Sequence, residues 1–319
     1  MGETMVVLAP DDGGPLQHAA RLTVGVGGAE SNVAMGLARL GHRAAWVSRV
    51  GDDPFGRRVV AEIAAAGVDV GLVRVDPAAP TGVYLKDPGP AGTRVHYHRA
   101  GSAASRLGAA DLADPRLAGV RLLHLSGITA ALSDSCRDLL AHALAGRAAP
   151  GARVTFDVNH RPALWPADRA APVLRELADR ADVVLVGLDE AATLWGSADP
   201  AAVRDLLPGP ELLVVKDGPV GATALPRTGA AVFVPAPPVD VVEPVGAGDA
   251  FAAGFLAGLL RGVDLRSCLR LGHLTAAPVL AAPGDTAPPP DPAWIARALA
   301  WTDLEWATPA RRHDGGSGT

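Results

Sequence analysis

In Glu243-Pro-Val-Gly-Ala-Gly-Asp-Ala-Phe251, Asp249 lies three residues after a glycine, at the start of an apolar helical pattern. Gly246 and Gly248 let the backbone bend, so the first N–H groups of that helix converge where its dipole favours an anion such as phosphate. An acid beside that point can accept a hydroxyl proton while the N–H groups stabilise a phosphoryl group in transfer. The plainer alternative is that Asp249 only caps the helix. A Walker loop is excluded, because Lys86 and Lys216 are the only lysines and each is followed by aspartate. Gly25-Val-Gly-Gly28 is not a dinucleotide fingerprint, since no parallel strand with an acidic residue follows at Rossmann spacing.

Other side chains suit an acidic ligand. Tyr97 and Arg99 are two apart on an expected strand and so share a face. Asn159 and Arg161 alternate at the end of another strand, where ligands of open α/β sheets gather. An arginine fork binds carboxylate bidentately, although surface solvation is the ordinary fate of arginine. Lys216-Asp-Gly-Pro-Val-Gly221 reads as a turn after a strand.

These residues need a scaffold. Val/Leu-rich clusters alternate with Ala/Leu/Arg stretches of helical period, the pattern of a parallel sheet with crossover helices. Strands are expected at Ala45–Val50, Leu122–Ser126, Val154–Asp157, Val183–Gly187 and Leu212–Lys216. Helices are expected at Ser31–Leu40, Gly56–Ala66, Asp134–Ala145, Ala167–Leu177, Asp189–Trp195, Gly248–Arg261 and Leu265–Leu280, with a last turn at Ile295–Leu299. Arg21–Val26, Thr81–Lys86 and Thr93–Arg99, the last two joined by the turn Asp87–Gly92, interrupt this rhythm. They read as a small β lid, or alternatively as edge strands of the main sheet.

Composition narrows the class. With 49% apolar and 20% charged residues over 319 positions the chain can bury a large core, which excludes disorder. A net charge of −5 argues against nucleic acid, and no apolar run approaches the roughly 18 residues of a membrane span. Cys136 and Cys268 lack zinc or redox spacing, so both read as buried thiols of a cytoplasmic protein. Lys86, Lys216, Asn32, Asn159, Tyr84 and Tyr97 are the only residues of their types, and Lys86 alone among them has no expected role.

Gly27-Gly-Ala-Glu-Ser-Asn-Val-Ala34 together with Gly246-Ala-Gly-Asp249 resembles the ribokinase-type (PfkB) carbohydrate kinases, from about Gly2 to about Asp285. His124-Leu-Ser-Gly-Ile-Thr129, Asp157-Val-Asn-His-Arg-Pro162 with Trp165, and Arg94-Val-His-Tyr-His-Arg99 leading into Gly101-Ser-Ala are similar to the 2-keto-3-deoxygluconate kinases within that family. The resemblance implies a three-layer αβα ribokinase-like domain over residues 1–300, a mostly parallel sheet, and lid strands near 4–9, 21–26, 81–86 and 93–99. Residues 301–319 would be an extension, mobile over Arg311–Thr319. It further implies ATP and Mg²⁺, with a sugar acid phosphorylated on its terminal hydroxyl and a homo-oligomer formed through the lid. Asp249 would be the general base. Gly28, Tyr84, Tyr97, Arg99 and Arg161 would contact the sugar acid together with Asp249, and Asn159 with Arg161 would sit between substrate and nucleotide. Lys216, Gly218, Gly221, Gly246, Ala247 and Gly248 would hold the nucleotide. A neutral-sugar kinase, for fructose or ribose, and a non-catalytic sugar or nucleotide sensor are the alternatives.

The chain departs from that pattern at its first central strand, which is expected to be missing because Gly2-Glu3 follow Met1 directly. Gly187 replaces an Asn or Ser three residues before Glu190, the acid that would hold Mg²⁺ through water or else be a helix-surface glutamate. Glu243 replaces an aspartate and His160 a tyrosine, and His273 stands where an asparagine is common and reads as a core or surface histidine.

Overall fold

The protein is described by a computed structural model covering residues 1–90, 92–146, 149, 151–282 and 284–308. Its first strands, β1 (Met5–Pro10) and β2 (Leu22–Gly27), pair antiparallel, while β3 (Ser48–Gly51) and β4 (Val73–Asp76) form a separate parallel pair. β5 (Val83–Asp87) and β6 (Arg94–His98) complete a four-stranded sheet in the order β2-β1-β5-β6. This is the expected lid, and none of its strands is an edge of the main sheet. Tyr84 on β5 stands directly opposite Tyr97 on β6.

The main sheet holds six strands, β7 (Leu122–Ser126), β8 (Arg153–Asp157), β9 (Val183–Gly187), β10 (Leu212–Asp217), β11 (Gly221–Pro226) and β12 (Val232–Pro235), in the order β12-β11-β10-β9-β8-β7. β7 to β10 are parallel and the last two pairings antiparallel. β9 is apolar throughout because both its faces are covered. Val183 and Leu185 join one core with α1 (Ala29–Arg39), α8 (Ala247–Arg261) and α9 (Leu265–Leu280). Val184 and Val186 join the other, with α3 (Gly127–Leu132), α4 (Asp134–Leu144), α5 (Ala167–Asp179), α6 (Leu188–Trp195) and α7 (Pro200–Leu206). The two helix layers and the sheet make the three-layer sandwich, and α2 (Pro54–Ala65) packs Val59 and Ile63 behind the lid.

Ala45–Val50 is corrected by the structure. The strand starts at Ser48 and pairs only with β4, apart from the main sheet. Between β7 and β3 lie the first residues of the chain, where the Met1 ammonium donates to His124 O at 2.9 Å and Gly2 N–H to Val47 O at 3.2 Å. The chain beyond residue 300 is also more integrated than expected. After α10 (Pro292–Leu299), the helix α11 (Asp303–Ala307) buries Trp306, whose indole N–H donates to Pro235 O at 3.0 Å. Arg311–Thr319 lies outside the described residues. Both cysteines are free and buried, and among the described residues no helix is long and apolar enough to cross a membrane.

α8 and α9 approach closely because glycines line their contact. A Cβ on Gly254 would collide with Thr275 Oγ1 and Leu271 O, and one on Gly258 would lie 2.9 Å from the Cys268 Cα. Gly254→Val is therefore expected to destabilise the protein by about 1–3 kcal/mol through overpacking, read from urea unfolding.

Candidate active site

Asp249 is the third residue of α8 and is 9% exposed. The N-cap, Gly246, has φ +83°, a left-handed conformation natural to glycine, and a Cβ there would collide with Asp285 O. The first-turn N–H groups of Gly248 and Asp249 therefore open away from the helix body as an anion seat. Asn32, in the first turns of α1, donates from Nδ2 to Asp249 Oδ2 at 2.9 Å, which orients the carboxylate. Asn32 Oδ1 is itself buried without a partner among the described residues. Burial pushes the Asp249 carboxyl up to about 7, against the lowering influence of the Asn32 hydrogen bond and the Arg161 charge.

The carboxyl ends of β8, β9 and β10 supply the opposite wall. Lys216 Nζ donates to Asp157 Oδ2 at 2.9 Å and lies 3.7 Å from where a Gly248 Cβ would stand, beside the anion seat. Burial alone would lower the Lys216 ammonium, but the Asp157 and Glu190 carboxylates outweigh it and hold the group above its ordinary value. Asp157 Oδ1 is buried and has no partner among the described residues. Asn159, just past β8, has φ +41° and is the one non-glycine with positive φ among the described residues. Strain of this kind persists where the surroundings dictate it and gathers at functional sites. Arg161 follows, half-buried, with Nη1 on His160 O at 3.2 Å.

Glu190 is half-buried rather than on the open surface of its helix. Its Oε2 accepts from Gly187 N–H and its Oε1 from His160 N–H, both at 2.8 Å, so it closes the start of α6 and pins the loop after β8. Burial raises its pKa. Among the described residues no group of three or more His, Cys, Asp or Glu is arranged to hold a metal.

The lid supplies the third wall. The Tyr84 hydroxyl donates to Asp285 Oδ2 at 2.7 Å, and the Tyr84 and Tyr97 rings are 5.7 Å apart. A Cβ on Gly27 would lie 2.5 Å from the Tyr84 hydroxyl and 2.7 Å from Asp285 Oδ2, and one on Gly28 would lie 2.5 Å from Glu3 O. The paired glycines are thus the floor on which lid and site meet. Arg99 is buried and packs over Tyr97, but its Nε donates to Glu3 Oε2 at 2.7 Å and its Nη2 pairs with the same carboxylate, which also accepts from Ser102. Most of its fork is thereby committed inside the protein. Gly218 (φ +45°) and Gly221 (φ +148°) shape the turn between β10 and β11, in which Val220 is exposed; Val241, Val242 and Val245, in the segment leading into α8, are exposed as well. His273 is a core histidine, facing Phe251 edge-on at 5.2 Å and meeting Val234 O at 3.2 Å.

Glu3, Asn32, Asp157 and Asp285 were not among the expected site residues. Asn32 and Asp157 nevertheless lie inside the Gly27–Ala34 and Asp157–Pro162 motifs, and the rarity of asparagine was a second signal for Asn32.

The profile of the pfkB family carbohydrate kinases matches residues 1–292. The chain is 39% identical over 301 residues to the 2-dehydro-3-deoxygluconokinase of Thermoproteus tenax, covering 92% of this chain and 90% of that one. It is 37% identical over 291 residues to the 2-dehydro-3-deoxygluconokinase of Bacillus subtilis, covering 89% of each. A sugar kinase of Pyrococcus horikoshii solved in complex with ATP superposes with a TM-score of 0.80 at 25% identity, covering 96% of this chain and 98% of that one.

The buried carboxylate has a stability consequence. Because the folded pKa of Asp249 lies above its ordinary value, ionisation is harder in the folded state, and stability falls as pH rises from about 4 to about 7. Asp249→Asn should therefore stabilise the protein by up to about 4 kcal/mol at pH 8, at about 1.4 kcal/mol per pKa unit, with no gain near pH 4. Urea unfolding at both pH values checks this, and an equal gain at each would contradict it.

Proposed function

The chain belongs to the pfkB family of carbohydrate kinases, and we propose that it transfers the γ-phosphoryl group of ATP to the terminal hydroxyl of 2-dehydro-3-deoxygluconate, also called 2-keto-3-deoxygluconate. The observation that carries this reading is the buried Asp249 carboxylate, held by Asn32 beside an open helix start.

The sugar acid lies between the Gly27-Gly28 floor, the two lid tyrosines and Arg161, with its terminal hydroxyl at Asp249 Oδ1. A carboxyl poised near pH 7 is matched to taking a hydroxyl proton at neutral pH. As the proton leaves, the N–H groups of Gly248 and Asp249 and the Lys216 ammonium face the charge on the phosphoryl oxygens, and the closed lid keeps water from competing as acceptor. Arg161, with Nη1 on His160 O, is the arginine for the substrate carboxylate, while Arg99, held by Glu3, shapes the lid wall. The turn Lys216–Gly221, with Val220 exposed in it, offers the nucleotide base an apolar edge.

Mg²⁺ fits the oxygen donors present. Asp157 Oδ1 is buried without a partner among the described residues, and Glu190 lies within its electrostatic reach, which suits an ion that keeps most of its waters and binds chiefly to phosphate. When bound it would supply charge neutralisation of the phosphates.

The test is an acceptor panel with ATP, coupled to ADP release. 2-Dehydro-3-deoxygluconate should be the best acceptor, and a clear preference for fructose or ribose would replace this reading with the neutral-sugar one. Asp249→Ala should lower kcat by roughly 10²- to 10⁴-fold while the protein stays folded. Arg161→Ala should raise the KM of the sugar acid roughly ten- to hundredfold, the worth of a charge-assisted contact, and leave that of a neutral sugar unchanged.

A further inference from the structure

Lys86 is buried in the lid, yet phosphoryl transfer as derived above gives it no task. It lies on β5 two residues after Tyr84, so both side chains leave the same face. Its ammonium is 3.0 Å from Asp285 Oδ1 and 3.1 Å from Glu243 Oε2. Tyr84 holds the other Asp285 oxygen, so the lid strand grips that carboxylate at both ends. Both acids belong to segments that meet the Gly246 turn. Asp285 presses its carbonyl against the left-handed Gly246 turn, and Glu243 Oε1 accepts from Val245 N–H at 3.3 Å within the segment leading into it.

We propose that Lys86 is a positioning residue whose ammonium joins the lid strand to the segment leading into the Gly246 turn and to the Asp285 backbone packed on it, so that the lid's seat and the shape of the anion hole are set together. The inference rests on the kinase reading for its kinetic consequence alone. One cation stands between two carboxylates, so its loss leaves buried negative charge beside the place where the phosphoryl group gathers charge. Removing one partner of such a pair is far more damaging than never having built it.

The test compares wild type, Lys86→Met, Lys86→Arg and the double variant Lys86→Met with Glu243→Gln. Two readouts are used: steady-state kinetics, and hydrogen exchange of the ligand-free protein at residues 83–87 and 244–250. Lys86→Met should lower kcat roughly 10²-fold, the scale of losing one anion-hole stabiliser. Its sugar KM should stay within about threefold of wild type, because the loss is confined to the transition state. Exchange should rise together in both segments, by about tenfold or more. Lys86→Arg should stay close to wild type. The double variant should recover about tenfold of the kcat lost in Lys86→Met, since it also removes the surplus charge. A strut that merely stabilised the fold would lower Tm without moving kcat below the melt, and that result overturns the proposal, as does faster exchange in residues 83–87 alone. If Lys86→Met does not fold, the double variant carries the exchange test, and unchanged exchange at 244–250 overturns the proposal. If wild type phosphorylates no sugar or sugar acid, the kinase reading fails, and coupled exchange still decides the role of Lys86.

Discussion

A carboxylate buried at the start of a helix is the constraint around which the rest of this molecule is arranged. Asp249 has to be dry enough for its proton affinity to rise toward neutrality, yet its charged form must remain attainable. The helix start and the Asn32 amide offset part of the burial cost, and Arg161 and Lys216 offset more at a distance. Each of these groups comes from a different part of the chain. The fold therefore has to bring α1, α8 and the ends of β8 and β10 to one point within hydrogen-bond tolerance.

Close packing without side chains is how that is done. Gly246 admits the backbone of Asp285, Gly27 and Gly28 admit the lid and the first residues, and Gly254 and Gly258 let α9 approach α8. The core on either face of β9 then fixes the height of α8 above the sheet. Polar groups left unpaired at the site are few and informative. Among the described residues Asn32 Oδ1 and Asp157 Oδ1 both lack partners, and a buried acceptor is costly unless a ligand or ion satisfies it.

The parts legible in the sequence were those written locally. The Gly246–Asp249 turn carries its own signature, and β7 and β9 run over the expected residues because continuous apolar runs mark a covered strand. β11 and β12 were not anticipated, since Ala222-Thr-Ala224 and Val232-Phe-Val234 are short and their strand state comes from pairing with β10 and each other. Side-chain partnerships were harder to foresee. Asn32 and Asp249 are 217 positions apart, and Lys86 and Asp285 are 199 apart, distances over which no periodicity speaks. Arg99 illustrates the same limit, because its place on a substrate-facing strand said nothing of Glu3, the carboxylate that claims it.

The account stands or falls on Asp249 acting as a base tuned by burial and by Asn32. The direct measurement is the pH dependence of kcat/KM for ATP-dependent phosphorylation of 2-dehydro-3-deoxygluconate, in wild type and Asn32→Ala, between about pH 5 and 9. The rate should rise with pH to a plateau with a midpoint near 7 in wild type, and the midpoint should move upward once the Asn32 hydrogen bond is lost. A flat profile, or a midpoint in the ordinary carboxylate range that Asn32→Ala leaves in place, would contradict it.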